Sequence, residues 1–238
     1  MLNLFVSGLE RQTGKTLVTA GIAATMQSLS YPTSVYKPVQ TGAVMMNGFK
    51  SSPDMVLIKR IDPNIYVSST YILKGVDSPF VSSYEDGLNI DINAIISEFR
   101  SISNMTDCNI IEGSNSVSTP LASNCTELDI AKALNLPVLL VVNPKMTPID
   151  MAISALKYIN SENVQLSGVI VNQYNEESEN LEEKYYPQIL REFFNVKILG
   201  TLPDYGDISV LTPETLISDV LNNINLEELF GVKISKLA

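Results

Sequence analysis

The segment Gly8-Leu9-Glu10-Arg11-Gln12-Thr13-Gly14-Lys15-Thr16 carries the residue types that hold phosphate. A glycine-bearing loop opening into a helix offers unpaired backbone N–H groups and the positive end of the helix dipole. Gln12, Thr13 and Gly14 would supply the amides, Lys15 a point charge, and Thr16 a hydroxyl suited to Mg2+. Five residues separate Gly8 from Gly14, one more than in the usual phosphate-binding loop. A Gly-Lys-Thr that only caps a helix is the plainer alternative.

Phosphoryl chemistry also needs acids and further positive charge, and three residues qualify. Glu112 follows the apolar run Cys108–Ile111, and in a parallel sheet the carboxyl ends of strands face the ligand crevice. A strand-end glutamate turned to solvent is the competing reading. Asp54 follows Ser52-Pro53 in the first turn of a short helix, where the dipole alone favours an acid. Lys37, in Tyr36-Lys37-Pro38-Val39-Gln40-Thr41-Gly42, closes a strand before a proline that stops pairing, where its ammonium could neutralise a phosphoryl group or an anionic substrate.

Composition removes other mechanisms. The 238 residues contain no histidine, which excludes Ser-His-Asp and Cys-His nucleophiles, histidine zinc sites and imidazole proton shuttles. The formal net charge of −10 repels nucleic acid and anionic lipid, so neither is an expected partner. Cys108 and Cys125 have no zinc-ligand spacing and are expected to be reduced core thiols. With no basic leader at the N-terminus and no apolar run of membrane-spanning length, a cytoplasmic location is expected.

Strands are expected at Leu2–Ser7, Thr33–Lys37, Cys108–Glu112, Pro137–Val142, Ser167–Val171 and Val196–Thr201, all nearly continuous apolar runs except the mixed Thr33–Lys37. Helices are expected at Lys15–Leu29, Pro53–Lys59, Ile92–Ile102, Thr126–Leu134, Pro148–Ile159 and Leu181–Phe194, with one or two more after Thr212. Pro53, Pro148 and Pro213 sit where a first helical residue would be. The alternation predicts one α/β domain over residues 1–238, a doubly wound and mostly parallel sheet with helices on both faces, of P-loop NTPase type. Residues 38–104 are its least regular part, with a turn at Ser78-Pro79-Phe80.

The constellation resembles the dethiobiotin synthetase family, within the wider group of P-loop enzymes that includes ParA-type ATPases and cobyrinate amidases. The likeness spans most of the chain: the long Gly8-to-Gly14 loop with Lys15-Thr16, Lys37-Pro38-Val39 with Thr41-Gly42, Asp54, Ser78-Pro79, Glu112-Gly113 with Thr119-Pro120-Leu121, Lys145, Asn172, and Gly200-Thr201-Leu202-Pro203. It implies that 7,8-diaminononanoate and CO2 form a carbamate, which ATP activates and the second amine closes to a cyclic urea. Lys15 and Lys37 would then be catalytic, Thr41, Ser78 and Arg11 would meet substrate, and Thr16, Asp54 and Glu112 would hold Mg2+. Asn172 and Pro203 would meet adenine beside Gln12–Thr16, and a homodimer would bind the diamine across its interface near Lys145–Asp150. Lys15→Ala or Lys37→Ala is expected to abolish turnover and spare the fold.

The departures cluster around the substrate. Arg11 stands where the family has threonine, Gln12 where it has an acid, Ser114-Asn115-Ser116 where it has Ala-Gly-Gly, and Pro148 and Asp150 fall in the segment that receives the substrate carboxylate. Two further classes therefore stay open: a related P-loop ligase or amidase for another small molecule, and a non-enzymatic nucleotide-binding paralogue. Glu10, where a ParA-type switch carries a second lysine, counts against a partner-binding switch.

Overall fold

Apolar runs that must be covered on both faces build the centre of the molecule. In the computed structural model, which describes residues 1–234, seven strands form one sheet: β1 (Leu2–Ser7), β2 (Thr33–Tyr36), β3 (Tyr66–Ser68), β4 (Cys108–Glu112), β5 (Val138–Val142), β6 (Leu166–Val171) and β7 (Ile198–Thr201). Their order is β7-β6-β5-β1-β4-β2-β3, and every pairing in this sheet is parallel. Strand β1 thus lies centrally, in register with β4 from Leu2↔Cys108 to Val6↔Glu112. That register places the acid that ends β4 beside the loop that leaves β1.

Alternation along each strand divides the core in two. Leu4 and Val6 join the core under α1 (Lys15–Ser28), α2 (Pro53–Ile61), α8 (Pro213–Asn223) and α9 (Leu226–Phe230). Phe5 joins the other, beneath α4 (Ile92–Ser103), α5 (Glu127–Ala133), α6 (Ile149–Ser161) and α7 (Leu181–Phe194). The remaining helix, α3 (Pro79–Glu85), lies outside both cores. The doubly wound α/β expectation is met, and no helix among the described residues is long and apolar enough to cross a membrane.

Four local expectations change. The irregular stretch contributes the edge strand β3, and the Ser78-Pro79-Phe80 turn is the start of α3, with Ser78 its N-cap. Pro148 is itself the N-cap of α6 rather than its first residue, since its ψ of 146° is extended. Cys125 is only half-buried and therefore not a core thiol, unlike Cys108, whose burial pushes its pKa up to about 12. The mixed strand β2 is fully buried because Ser34 Oγ donates to Asn109 Oδ1 at 2.8 Å, and Asn109 Nδ2 donates to Asn3 Oδ1 at 3.0 Å, so its polar groups are paired.

Candidate active site

The loop after β1 turns back on itself through two left-handed residues, Gln12 (φ 61°) and Gly14 (φ 84°). Gly14 is the N-cap of α1 and no side chain caps that helix, so its first amides remain available for an anion. Gly8 and Gly14 are needed for close packing. A Cβ on Gly8 would lie 2.7 Å from Thr13 Oγ1, and one on Gly14 only 1.9 Å from Asn172 Nδ2. Asn172, just past β6, donates from Nδ2 to the Thr13 carbonyl at 3.0 Å and ties the loop to the sheet. We predict that Gly14→Ala combines that clash with left-handed strain and weakens nucleotide binding at least about 10-fold, read by titration with a fluorescent ATP analogue.

Lys15 is buried and folds back to donate to the Glu10 carbonyl at 2.7 Å. Burial and then the neighbouring Lys37 lower its pKa from 10.5 to about 8, despite the opposing pull of Glu127, Glu112 and Asp54.

Behind the loop, Lys37, Asp54, Glu112 and Thr16 converge. Glu112 is fully buried, which rules out the strand-end acid turned to solvent. Its Oε1 accepts from Lys37 Nζ at 2.7 Å and from Thr16 Oγ1 at 2.8 Å, and its Oε2 has no hydrogen-bond partner among the described residues. Lys37 Nζ also pairs with Asp54 and donates to the Gly113 carbonyl at 3.3 Å. Burial alone would lower the Lys37 pKa, but Glu112 and Asp54 outweigh it and hold the ammonium above its ordinary value.

Local sequence explains how these groups meet. Pro38 takes the chain out of the main sheet after Lys37, and Val39–Gln40 then pairs with Tyr71–Ile72. Gln40 Oε1 accepts from Ser52 Oγ at 2.5 Å, and the same hydroxyl caps α2 by accepting from Met55 N–H. Asp54 in the first turn of α2 is thereby delivered to Lys37.

The cleft above this cluster has a volume of about 460 Å3. Arg11, Gln12, Gly14, Lys15, Thr16, Lys37, Thr41 and Asp54 line it, and Glu112 is buried behind Thr16 and Lys37, to which it is bonded. Thr13, within the loop, and Asn172, beneath it, are buried, and Asn172 Oδ1 is left without a partner among the described residues. Ser78 and Pro203 do not line the cleft, and Asp150 is exposed at the start of α6, outside it. Gln173 and Ile208 form wall the sequence reading missed; Ile208 is fixed by its carbonyl, which accepts from Arg60 at 2.6 Å. Glu127 was also missed. It is buried at the start of α5, where its Oε1 accepts from the Ser114 and Asn115 amides at 2.7 and 2.9 Å. Burial raises its pKa against the pull of those amides and the lysines. Position alone would mark it as an ordinary first-turn acid, so sequence carries no signal of its burial.

Thr16, Asp54 and Glu112 offer only hard oxygen donors, and one buried oxygen of Glu112 has no partner among the described residues. Such a set fits Mg2+, which takes one or two carboxylates with substrate phosphates.

A parallel sheet with a phosphate loop between its first strand and first helix defines a P-loop NTPase-type fold. Within that class, residues 2–212 match the family model AAA_26, described as an AAA domain, and the chain belongs to that family. Among curated proteins, the ATP-dependent dethiobiotin synthetase BioD of Bacillus subtilis (strain 168) is 26% identical over 234 residues, covering 97% of this chain and 98% of the relative. The protein of the same name from Nitrosopumilus maritimus (strain SCM1) is 24% identical over 212 residues, covering 88% and 92%. Among solved structures, the cell division protein MinD of Aquifex aeolicus superposes with a TM-score of 0.57 at 14% identity, covering 96% of this chain and 94% of that one. The septum site-determining protein MinD of Pyrococcus horikoshii OT3, complexed with Mg-ADP, gives 0.56 at 17% identity, covering 99% and 91%.

Proposed function

We propose that the chain is an ATP-dependent ligase of biotin biosynthesis, a dethiobiotin synthetase acting as a single P-loop domain. The observation that carries this reading is the convergence of Lys15, Thr16, Lys37, Asp54 and Glu112 at one cleft. The full-length likeness to curated dethiobiotin synthetases supports it.

In the reaction, one amine of 7,8-diaminononanoate adds to CO2 and loses a proton, giving a carbamate. A carbamate oxygen attacks the γ-phosphorus of ATP and expels ADP, forming a carbamic-phosphoric anhydride. The second amine attacks the carbonyl carbon, phosphate leaves, and the cyclic urea closes.

Lys15 and the open amides of α1 cradle the triphosphate, and Lys37 neutralises charge on the oxygens between carbamate and phosphorus. Thr41 holds the carbamate, and Asn172, whose Oδ1 has no partner among the described residues, is the group under the loop that would meet the adenine amino group, beside Gln173 and Ile208 of the cleft wall. Thr16, Asp54 and Glu112 would hold Mg2+, which would supply charge screening at the phosphate oxygens. Asp150 lies outside the cleft of its own chain, so any role with the diamine is exerted in the partner of a homodimer.

The decisive experiment measures phosphate release from Mg-ATP with and without bicarbonate and 7,8-diaminononanoate. We expect release that requires both, with dethiobiotin identified by mass spectrometry. Steady release without them, or ATP binding with no release, sinks the reading in favour of another small-molecule ligase or a nucleotide-binding paralogue.

A further inference from the structure

Glu127 is a buried acid that the phosphoryl chemistry does not use. It opens α5 with 1% of its surface exposed, and a carboxylate taken out of water is costly unless its hydrogen bonds are made. Its Oε1 accepts from the amides of Ser114 and Asn115 at 2.7 and 2.9 Å. Its Oε2 occupies the space above Gly113, where a Cβ would lie only 2.2 Å away, so the two residues are sterically matched. Phe5, Pro38, Val39, Leu121 and Ile130 line the same corner without an acidic side chain, and Glu112, which also lines it, is committed through Oε1 to Thr16 and Lys37, so without Glu127 the two amides would lose the partner they have.

The loop it holds is a wall of the cleft, since Ser114 and Asn115 both line it. Ser114 Oγ donates to the Val39 carbonyl at 2.7 Å, and Asn115 Oδ1 accepts from Arg11 Nε at 3.3 Å. A continuous set of contacts therefore runs from Glu127 through the Asn115 backbone and side chain to Arg11. The sequence departures at Arg11 and at Ser114-Asn115-Ser116 meet in this contact. A guanidinium is a planar, permanently charged fork suited to carboxylate-like anions, and in the ligase reading the carbamate of the acceptor is such a group at this cleft.

We propose that Glu127 is a positioning residue: by holding the Ser114 and Asn115 amides it fixes the cleft wall, and through Asn115 it sets Arg11 to receive the anionic group of the acceptor substrate. The proposal rests on the ligase reading of the cleft. It differs from a purely structural role in requiring that Glu127 and Arg11 act through one another.

The test uses Glu127→Ala, Glu127→Gln, Asn115→Ala and Arg11→Ala in the full chain. The Arg11 Nε–H resonance, assigned by its disappearance in Arg11→Ala, reports the contact with Asn115 without any need for turnover. Glu127→Ala and Asn115→Ala should speed its exchange with water. Glu127→Gln should leave it at the wild-type rate, because a carboxamide oxygen still accepts from both amides. In steady state, at a pH well below the Lys15 titration near 8, Glu127→Ala, Asn115→Ala and Arg11→Ala should each raise KM for 7,8-diaminononanoate about 10-fold, with kcat and the affinity for a fluorescent ATP analogue within about twofold of wild type. Combining Glu127→Ala with Arg11→Ala should add nothing further.

A resonance unaffected by Glu127→Ala overturns the proposal, and so does a KM effect that simply adds to that of Arg11→Ala. If Glu127→Ala fails to fold, Asn115→Ala and Glu127→Gln decide: an unmoved KM in the first, or a Glu127→Gln enzyme in which Arg11 exchanges fast, overturns it. If the wild-type protein forms no dethiobiotin, the ligase reading fails separately. The positioning of Arg11 is then decided by the resonance alone, retention in Glu127→Gln with loss in Glu127→Ala upholding it.

Discussion

Lys37→Ala is expected to lower ATP-dependent turnover by about 10²- to 10³-fold, the range seen when one donor to a developing charge is removed. The same change should destabilise the fold by about 3–5 kcal/mol, the cost of leaving a buried ion pair half-broken. The lysine is 3% exposed and Glu112 is fully buried, so the carboxylate loses its ammonium partner in a site that gives it little water of its own. Asp54, a quarter exposed, can rehydrate and adds less. This revises the sequence-based expectation that the fold is spared, which treated Lys37 as a strand-end group. The check is denaturant unfolding of Lys37→Ala beside kcat at saturating ATP. The double variant Lys37→Met with Glu112→Gln should regain much of the stability but none of the turnover, because it removes both buried charges together. Wild-type stability in Lys37→Ala would mean that the Lys37–Glu112 contact does not persist in solution.

The sheet was legible because buried parallel strands and amphipathic helices leave distinct periods in the sequence. Cys108–Glu112 and Leu181–Phe194 are found with the bounds their patterns predict. Strand β3 was not legible: three residues at a sheet edge, starting with an exposed Tyr66, make no apolar run. The helix α3 was hidden by its shortness and by Ser-Pro, which reads equally as a turn or a helix start. In the site, Lys15, Lys37, Asp54 and Glu112 were legible because each stands at a strand end or a helix start. Glu127, Gln173 and Ile208 were not, since their place at the cleft depends on how distant segments pack. Arg11 and Asn115 could be seen only as separate oddities until the fold brought them together across 104 positions.

The second large effect is a loss of nucleotide affinity as pH rises through about 8. Lys15 in the free protein titrates there because burial, and then Lys37, disfavour its charged form. A bound triphosphate favours that charged form, so the complex must titrate at a higher pH than the free protein. Below about 8 both states hold the proton and affinity is level with pH. Above it the free protein has lost the proton, binding must take it up again, and affinity should fall by up to about 10-fold per pH unit until the complex titrates too. Calorimetry of ATP binding in buffers of different ionisation enthalpy should show proton uptake at about pH 9 and little at about pH 6.5. Lys15→Met should bind ATP weakly at every pH and show no uptake, which separates Lys15 from other titrating groups. Uptake that persists in Lys15→Met would assign the proton to another group and remove Lys15 from the phosphate-binding role.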